Sequence, residues 1–149
     1  MRIALFQPDI AGNVGTILRL AACLGTPVDL IEPMGFAYSD RALARAGMDY
    51  AALAQVTRHA DWDGFSQALR GRLVLLTTRA QTRLPDAGFR EDDTLLMGSE
   101  SAGAPDFVHD RADLRVRIPI ASEFRSLNVA VAAGIALGEA LRQTGGWPA

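Results

Sequence analysis

Three short stretches of this sequence carry polar side chains where they could do chemistry. In Asn13-Val14-Gly15-Thr16-Ile17-Leu18-Arg19, an N-x-G-x-x-x-R pattern, Val14, Ile17, Leu18 and Ala21 recur at helical spacing, and Asn13 and Arg19 fall off that apolar stripe. Both can therefore point toward the strand ends or solvent. The second stretch, Leu95 to Pro105, is an apolar run entering a loop bounded by Gly98 and Gly103, with one carboxylate, Glu100. Its glycines permit positive φ and close backbone approach, which a loop folded around a ligand requires. The third, Ile118-Pro119-Ile120 followed by Arg125-Ser126-Leu127-Asn128, offers backbone N–H groups, a hydroxyl and an amide, suited to an amino-acid or adenine moiety. Taken singly, each also reads as something ordinary: a capped helix with a surface arginine, a plain turn, a helix cap.

Other chemistries find little support. There is no G-x-G-x-x-G and no lysine near the glycines of Gly98-Ser99-Glu100-Ser101-Ala102-Gly103, so no phosphate-cradling loop, and the segment misses a G-x-S-x-G elbow by one residue. His59 and His109 stand far apart without local ligand partners, so no metal is expected and both read as surface or partly packed histidines. The one cysteine, Cys23, excludes an intramolecular disulfide, fits a reducing compartment, and reads as a core residue of the first helix. No apolar run approaches the ~18 residues of a membrane span, and the N-terminus lacks the hydrophobic region of a signal peptide. A formal charge of −2 argues against nucleic acid on composition alone. Arginines nevertheless cluster at Arg41, Arg45 and Arg58, at Arg70, Arg72, Arg79 and Arg83, and at Arg111, Arg115, Arg117 and Arg125. Their planar forks suit phosphate, and they equally read as solvated faces.

The elements that must hold these stretches alternate between strand and helix. Strands are predicted at Arg2 to Gln7, Val28 to Ile31, Leu53 to Thr57, Leu73 to Thr78, Thr94 to Gly98 and Leu114 to Ile118. Helices are predicted from an Asn13 cap to a Gly25 stop, from Ser39 or Asp40 to Ala46, from Asp61 to Leu69, and from Arg125 to Arg142. Residues 79–93 read as the longest loop. Strands that are apolar throughout argue for an α/β fold, a mostly parallel sheet flanked by helices, with 1–149 as one domain. Ligands in such folds gather at the carboxyl ends of the strands, where all three stretches fall. The last helix is rich in small residues, Ala130, Ala132, Ala133, Gly134, Ala136, Gly138 and Ala140, which fits either tight packing on its own sheet or a subunit interface.

In this order and spacing the three stretches resemble the signature segments of the SPOUT RNA methyltransferases: N-x-G-x-x-x-R, G-S/P-E-x-x-G, and I-P-I/M followed by R-S-L/M-N. Ile31-Glu32-Pro33-Met34-Gly35-Phe36, Arg45 to Tyr50 and Val56-Thr57-Arg58-His59 extend the likeness over nearly the whole chain, toward the short TrmL-like members. Ser99 stands where relatives often have proline, which should alter loop stiffness rather than reaction class. The resemblance implies a C-terminal trefoil knot and S-adenosyl-L-methionine as cofactor. It would be held by Leu76, Thr77 and Thr78, by Gly98, Glu100 and Gly103, and by Ile118, Pro119, Ile120, Ser126, Leu127, Asn128 and Ala130. It implies 2′-O-methylation of the wobble-position ribose, cytidine or modified uridine, in cytoplasmic tRNA. It also implies a homodimer in which Arg19 completes the site across the interface. Arg19, Asn13 and Ser126 inherit catalytic roles, and Arg19 and Arg125 inherit substrate contacts. A guanidinium stays protonated in proteins, so Arg19 is expected to grip phosphate and polarise the hydroxyl rather than act as a base. Two alternatives stand beside this: a ribosomal-RNA 2′-O-methyltransferase, and a flavodoxin-like nucleotide-binding module. The latter is disfavoured by Pro8-Asp9-Ile10-Ala11-Gly12-Asn13, which has one glycine and an acid where phosphate would sit.

Overall fold

A computed structural model of the protein describes residues 1–39, 41 and 53–149. In chain order the elements are β1 (Arg2–Phe6), α1 (Ala11–Cys23), β2 (Val28–Ile31), β3 (Val56–His59), α2 (Trp62–Ala68), β4 (Leu73–Leu76) and β5 (Thr82–Arg83). A 3₁₀ turn (Leu84–Asp86), β6 (Thr94–Met97), α3 (Asp106–Arg111), β7 (Leu114–Arg117) and α4 (Val129–Thr144) complete them. The described strands form one sheet in the order β3-β2-β1-β6-β4-β7-β5, with every pairing parallel. Parallel pairing forces each connection to cross a face of the sheet, which explains why the strands are apolar on both sides. On one face Ile3, Leu5, Leu30, Val74, Leu95 and Val116 meet Val14, Ile17 and Leu18 of α1 and Ala133, Ala136 and Leu137 of α4. On the other, Ala4, Phe6, Ile31, Leu75 and Leu96 meet Phe65 of α2 and Val108 of α3.

Several sequence expectations are corrected. Asn13 does not cap α1. The helix begins earlier, at Ala11, because Asn13 and Val14 already donate their backbone N–H groups to the Ile10 carbonyl. The third strand runs Val56–His59 rather than from Leu53, in register with β2 through Val28↔Val56 and Ile31↔His59. The stretch 79–93 is not all loop. Thr82–Arg83 pairs with β7, and the 3₁₀ turn follows. Helix α3 has no counterpart in the sequence expectations, and α4 starts at Val129 rather than Arg125. Cys23 ends α1 exposed, not in the core. Four of the small residues of α4, Ala130, Ala133, Ala136 and Ala140, turn into this chain's own core, where tight packing on the sheet accounts for them, while Ala132, Gly134 and Gly138 are only partly buried. The helix expected from Ser39 or Asp40 to Ala46 lies outside the described residues. No described helix is long and apolar enough to cross a membrane.

A buried ion pair ties the opposite end of the sheet. Asp93, fully buried just before β6, receives Arg72 Nε at 2.9 Å and Nη2 at 2.8 Å from the start of β4. It also receives the Arg90 N–H at 2.8 Å, while Arg72 reaches the Gly88 carbonyl at 2.7 Å. Removing one partner of a buried pair leaves a charge without compensation. Arg72→Ala is therefore expected to lower the unfolding free energy by about 3 kcal/mol in urea denaturation, and a loss below about 1 kcal/mol would mean that the pair does not hold this end of the sheet.

Candidate active site

The carboxyl ends of β1, β4, β6 and β7 open onto one cavity of about 620 Å³, within the range of roughly 300–1,000 Å³ typical of small-molecule sites. Leu76, Thr77 and Thr78 line it after β4. Gly98, Glu100 and Gly103 line it after β6, and Ile118, Ile120, Ser126, Leu127 and Asn128 after β7. Asn13 reaches it from the first turn of α1. The fold thus brings together all three stretches singled out in the sequence. Pro119 and Ala130 do not line the cavity. Pro119 alternates with Ile118 and Ile120 and faces solvent, while Ala130 turns into the core. Arg19 and Arg125 are exposed outside it. The wall also includes Ile10, Arg79, Met97, Val116, Ala132 and His109. The strand ends Met97 and Val116 could have been anticipated from the topology. His109 could not, because the helix that aims it was not legible.

Local chemistry shapes the glycine loop. Ser99 and Gly103 exchange backbone hydrogen bonds at 3.0 and 2.9 Å, folding the chain back on itself, with Gly103 at φ +66°. A Cβ on Gly98 would stand 2.5 Å from the Gly103 carbonyl carbon, so the strand can enter the fold-back only as glycine.

A directional chain of hydrogen bonds links the three stretches. Asn128 is the N-cap of α4, its Oδ1 accepting the N–H groups of Ala130 at 2.9 Å and Val131 at 3.3 Å. This orients its amide, so Nδ2 donates to Asn13 Oδ1 at 3.0 Å. The Asn13 amide is oriented in turn, and its Nδ2 donates to Glu100 Oε1 at 3.3 Å. Glu100 Oε2 accepts the Asp9 N–H at 2.9 Å. Burial, then contact with the Asp9 carboxyl, pushes the Glu100 carboxyl above its ordinary range. Hydrogen bonding with Glu100, then with the Ser101 hydroxyl, holds Asp9 below its own. The buried Asp9 Oδ1 has no hydrogen-bond partner among the described residues. Asn13 is therefore committed to holding Glu100 and Asn128 together.

The cavity's residues fit the cofactor implied by the resemblance. Leu76, Met97, Ile118, Ile120 and Leu127 provide apolar surface for a ring system, and Asn13, Glu100, Ser126 and Asn128 gather polar groups for an amino-acid portion.

Residues 1–138 match the SpoU rRNA Methylase family, and the chain belongs to that family. Within it, the chain is similar to a tRNA (cytidine(34)-2′-O)-methyltransferase from Beijerinckia indica subsp. indica, 56% identical over 146 residues, covering 96% of this chain and 91% of the relative. A solved structure described as giving structural insights into the 2-OH methylation of C/U34 on tRNA superposes with a TM-score of 0.90 at 43% identity, covering 95% of this chain and 94% of that one. The AdoMet-bound rRNA methyltransferase from Sinorhizobium meliloti superposes at 0.85 with 30% identity, covering 95% of this chain and 55% of that one.

The amide chain predicts an asymmetric response at Asn128. Asn128→Asp keeps an oxygen to cap α4, and its charge suits a helix N-terminus. It replaces the donor facing Asn13 with an acceptor. Thermal unfolding should shift by no more than a few degrees, while affinity for S-adenosylhomocysteine, read by calorimetry, should fall about tenfold. Unchanged affinity would detach the amide chain from cofactor binding.

Proposed function

We propose that this chain is an S-adenosylmethionine-dependent tRNA 2′-O-methyltransferase acting on the wobble ribose, cytidine or modified uridine. The observation that carries the proposal is the convergence of the three stretches, Asn13, Gly98 to Gly103 and Ile118 to Asn128, on one cavity at the strand ends. Similarity along almost the full length of tRNA enzymes favours this target over ribosomal RNA, since the chain spans only 55% of the AdoMet-bound rRNA enzyme.

When bound, the cofactor supplies an electrophilic methyl group; the chain must bind it, exclude water and present the ribose oxygen in line. The loops after β4, β6 and β7 do the binding, through backbone groups around Thr78, Gly98 and Ile118. Pro119 and Ala130, outside the cavity wall, fit a supporting role for the loop and for α4. Ser126, exposed at the rim, is the hydroxyl best placed to meet a ribose. Asn13 acts by position, fixing Glu100 and Asn128. Arg19 and Arg125 lie on the exposed surface where RNA phosphates can reach them, which supports roles in gripping the backbone and, for Arg19, polarising the 2′-hydroxyl.

The active unit in this reading is a homodimer of a one-domain chain, folded with the family's C-terminal trefoil knot. The outer face of α4 supports the dimer, with Val131 51% and Ile135 42% exposed one turn apart, as does Leu127 at the cavity rim. A second copy would cover these residues and bring its own α1 arginine toward this cavity. The enzyme would work in the cytoplasm beside its tRNA, a setting that a single exposed thiol and the lack of any described membrane-spanning helix accommodate.

Two measurements test the proposal. Sedimentation at low micromolar concentration should give about twice the 15.9 kDa chain mass; a monomer that still methylates tRNA would remove the shared site. Nucleoside mass spectrometry of tRNA incubated with protein and labelled S-adenosylmethionine should find label on the wobble ribose. Arg19→Ala should reduce that transfer at least ~10²-fold while leaving S-adenosylhomocysteine affinity unchanged. Label in ribosomal RNA alone would reassign the substrate, and a wild-type rate in Arg19→Ala would reassign the role of that residue.

A further inference from the structure

We propose that His109 is a positioning residue for the cofactor cavity, orienting the Thr77 hydroxyl and, through it, the turn that forms one cavity wall; the cofactor's identity rests on the function proposed above. His109 lies on α3, is only 5% exposed and lines the cavity. Its Nδ1 stands 3.2 Å from the Pro105 carbonyl oxygen, and its Nε2 stands 2.9 Å from Thr77 Oγ1. A carbonyl can only accept, so the ring proton sits on Nδ1. In the neutral ring Nε2 is then a bare acceptor, and the Thr77 hydroxyl must donate to it. With its proton so directed, Thr77 Oγ1 is left to accept the Arg79 N–H at 3.2 Å. The Thr77 carbonyl accepts the Ala80 N–H at 3.2 Å, and its own N–H is spent on the Val116 carbonyl at 2.9 Å.

The polar atoms of Thr77 are thereby committed, and the turn through Thr78 and Arg79 is held in one conformation. The two ends of this tie belong to different walls. Thr77, Thr78 and Arg79 follow β4, whereas Pro105 and His109 follow the glycine loop after β6. An exposed ion pair, Arg79 to Asp106 at 3.1 Å, joins the same turn to the same helix, but exposure leaves it little strength. The buried imidazole thus ties these walls together by a side-chain link beyond the point where the β4–β6 pairing ends at Leu76↔Met97. A residue that merely fills space would need neither the tautomer nor the hydroxyl.

The test uses the full-length protein and three substitutions. His109→Leu keeps apolar bulk and loses both hydrogen bonds, Thr77→Val is nearly isosteric and loses only the hydroxyl, and His109→Gln can donate to Pro105 and accept from Thr77. Calorimetry with S-adenosylhomocysteine should show about a tenfold loss for His109→Leu and for Thr77→Val. The double variant should be no more than about twofold weaker than either single one, because both remove the same link. His109→Gln should recover most of the affinity. In the ligand-free protein, ¹⁵N NMR of the imidazole should find the proton on Nδ1. Additive losses, wild-type affinity in Thr77→Val, or a proton on Nε2 would overturn the inference, and Thr77→Val alone carries the binding test should His109→Leu fail to fold. Failure of the unsubstituted protein to bind S-adenosylhomocysteine would instead count against the methyltransferase reading, leaving the tautomer to be judged by NMR.

Discussion

The amide of Asn128 is the constraint on which the candidate site depends. Its oxygen is fixed by the first N–H groups of α4, so its nitrogen has one direction left and meets Asn13. That contact turns the Asn13 amide toward Glu100, and Glu100 receives the backbone of Asp9. Each link is a single hydrogen bond worth about 1 kcal/mol net, yet together they decide how three loops, separated by as many as 115 residues, face one another. Reversing one amide would set two acceptors or two donors against each other along the line.

The parallel sheet makes this economy possible. Because every connection crosses over, the carboxyl ends of β1, β4, β6 and β7 share one edge, and the loops leaving them have nowhere else to meet. The apolar faces beneath are closed by α1 and α4 on one side and by α2 and α3 on the other. At the far edge Arg72 and Asp93 fix the starts of β4 and β6. The loops can therefore be polar and glycine-rich without weakening the core. The same division explains how a chain of net charge −2 can serve an RNA substrate. Some acids are turned to internal ties, as Asp29 is with Arg2 and His59 and Asp93 with Arg72, while Arg19 and Arg125 of the signature stretches stand exposed. Salt-dependent contact with phosphate depends on that local distribution rather than on the total.

Much was determined by the sequence alone. The unbroken apolar runs Leu73 to Leu76 and Leu95 to Met97 argued for a covered parallel sheet, and the positions of Gly98, Gly103, Ser126 and Asn128 after strand ends pointed to a candidate ligand site at the carboxyl edge. The residue pattern also carried the family, since spacing along the chain survives as spacing between loops. What only the tertiary structure decided concerns partners distant in sequence. Asn13 reads as a helix cap because a side-chain oxygen at a helix start ordinarily finds its own backbone; here Asn128 donates to that oxygen and Glu100 accepts from the amide nitrogen. Thr82–Arg83 becomes a strand only because β7 lies beside it. His109 carries no periodic signal, and its short helix gains its place by burying Val108 against Leu75 and Leu96. Local spacing can specify which atoms are available, but the direction of an amide or the tautomer of a buried imidazole is fixed by whichever acceptor or donor the fold brings opposite it.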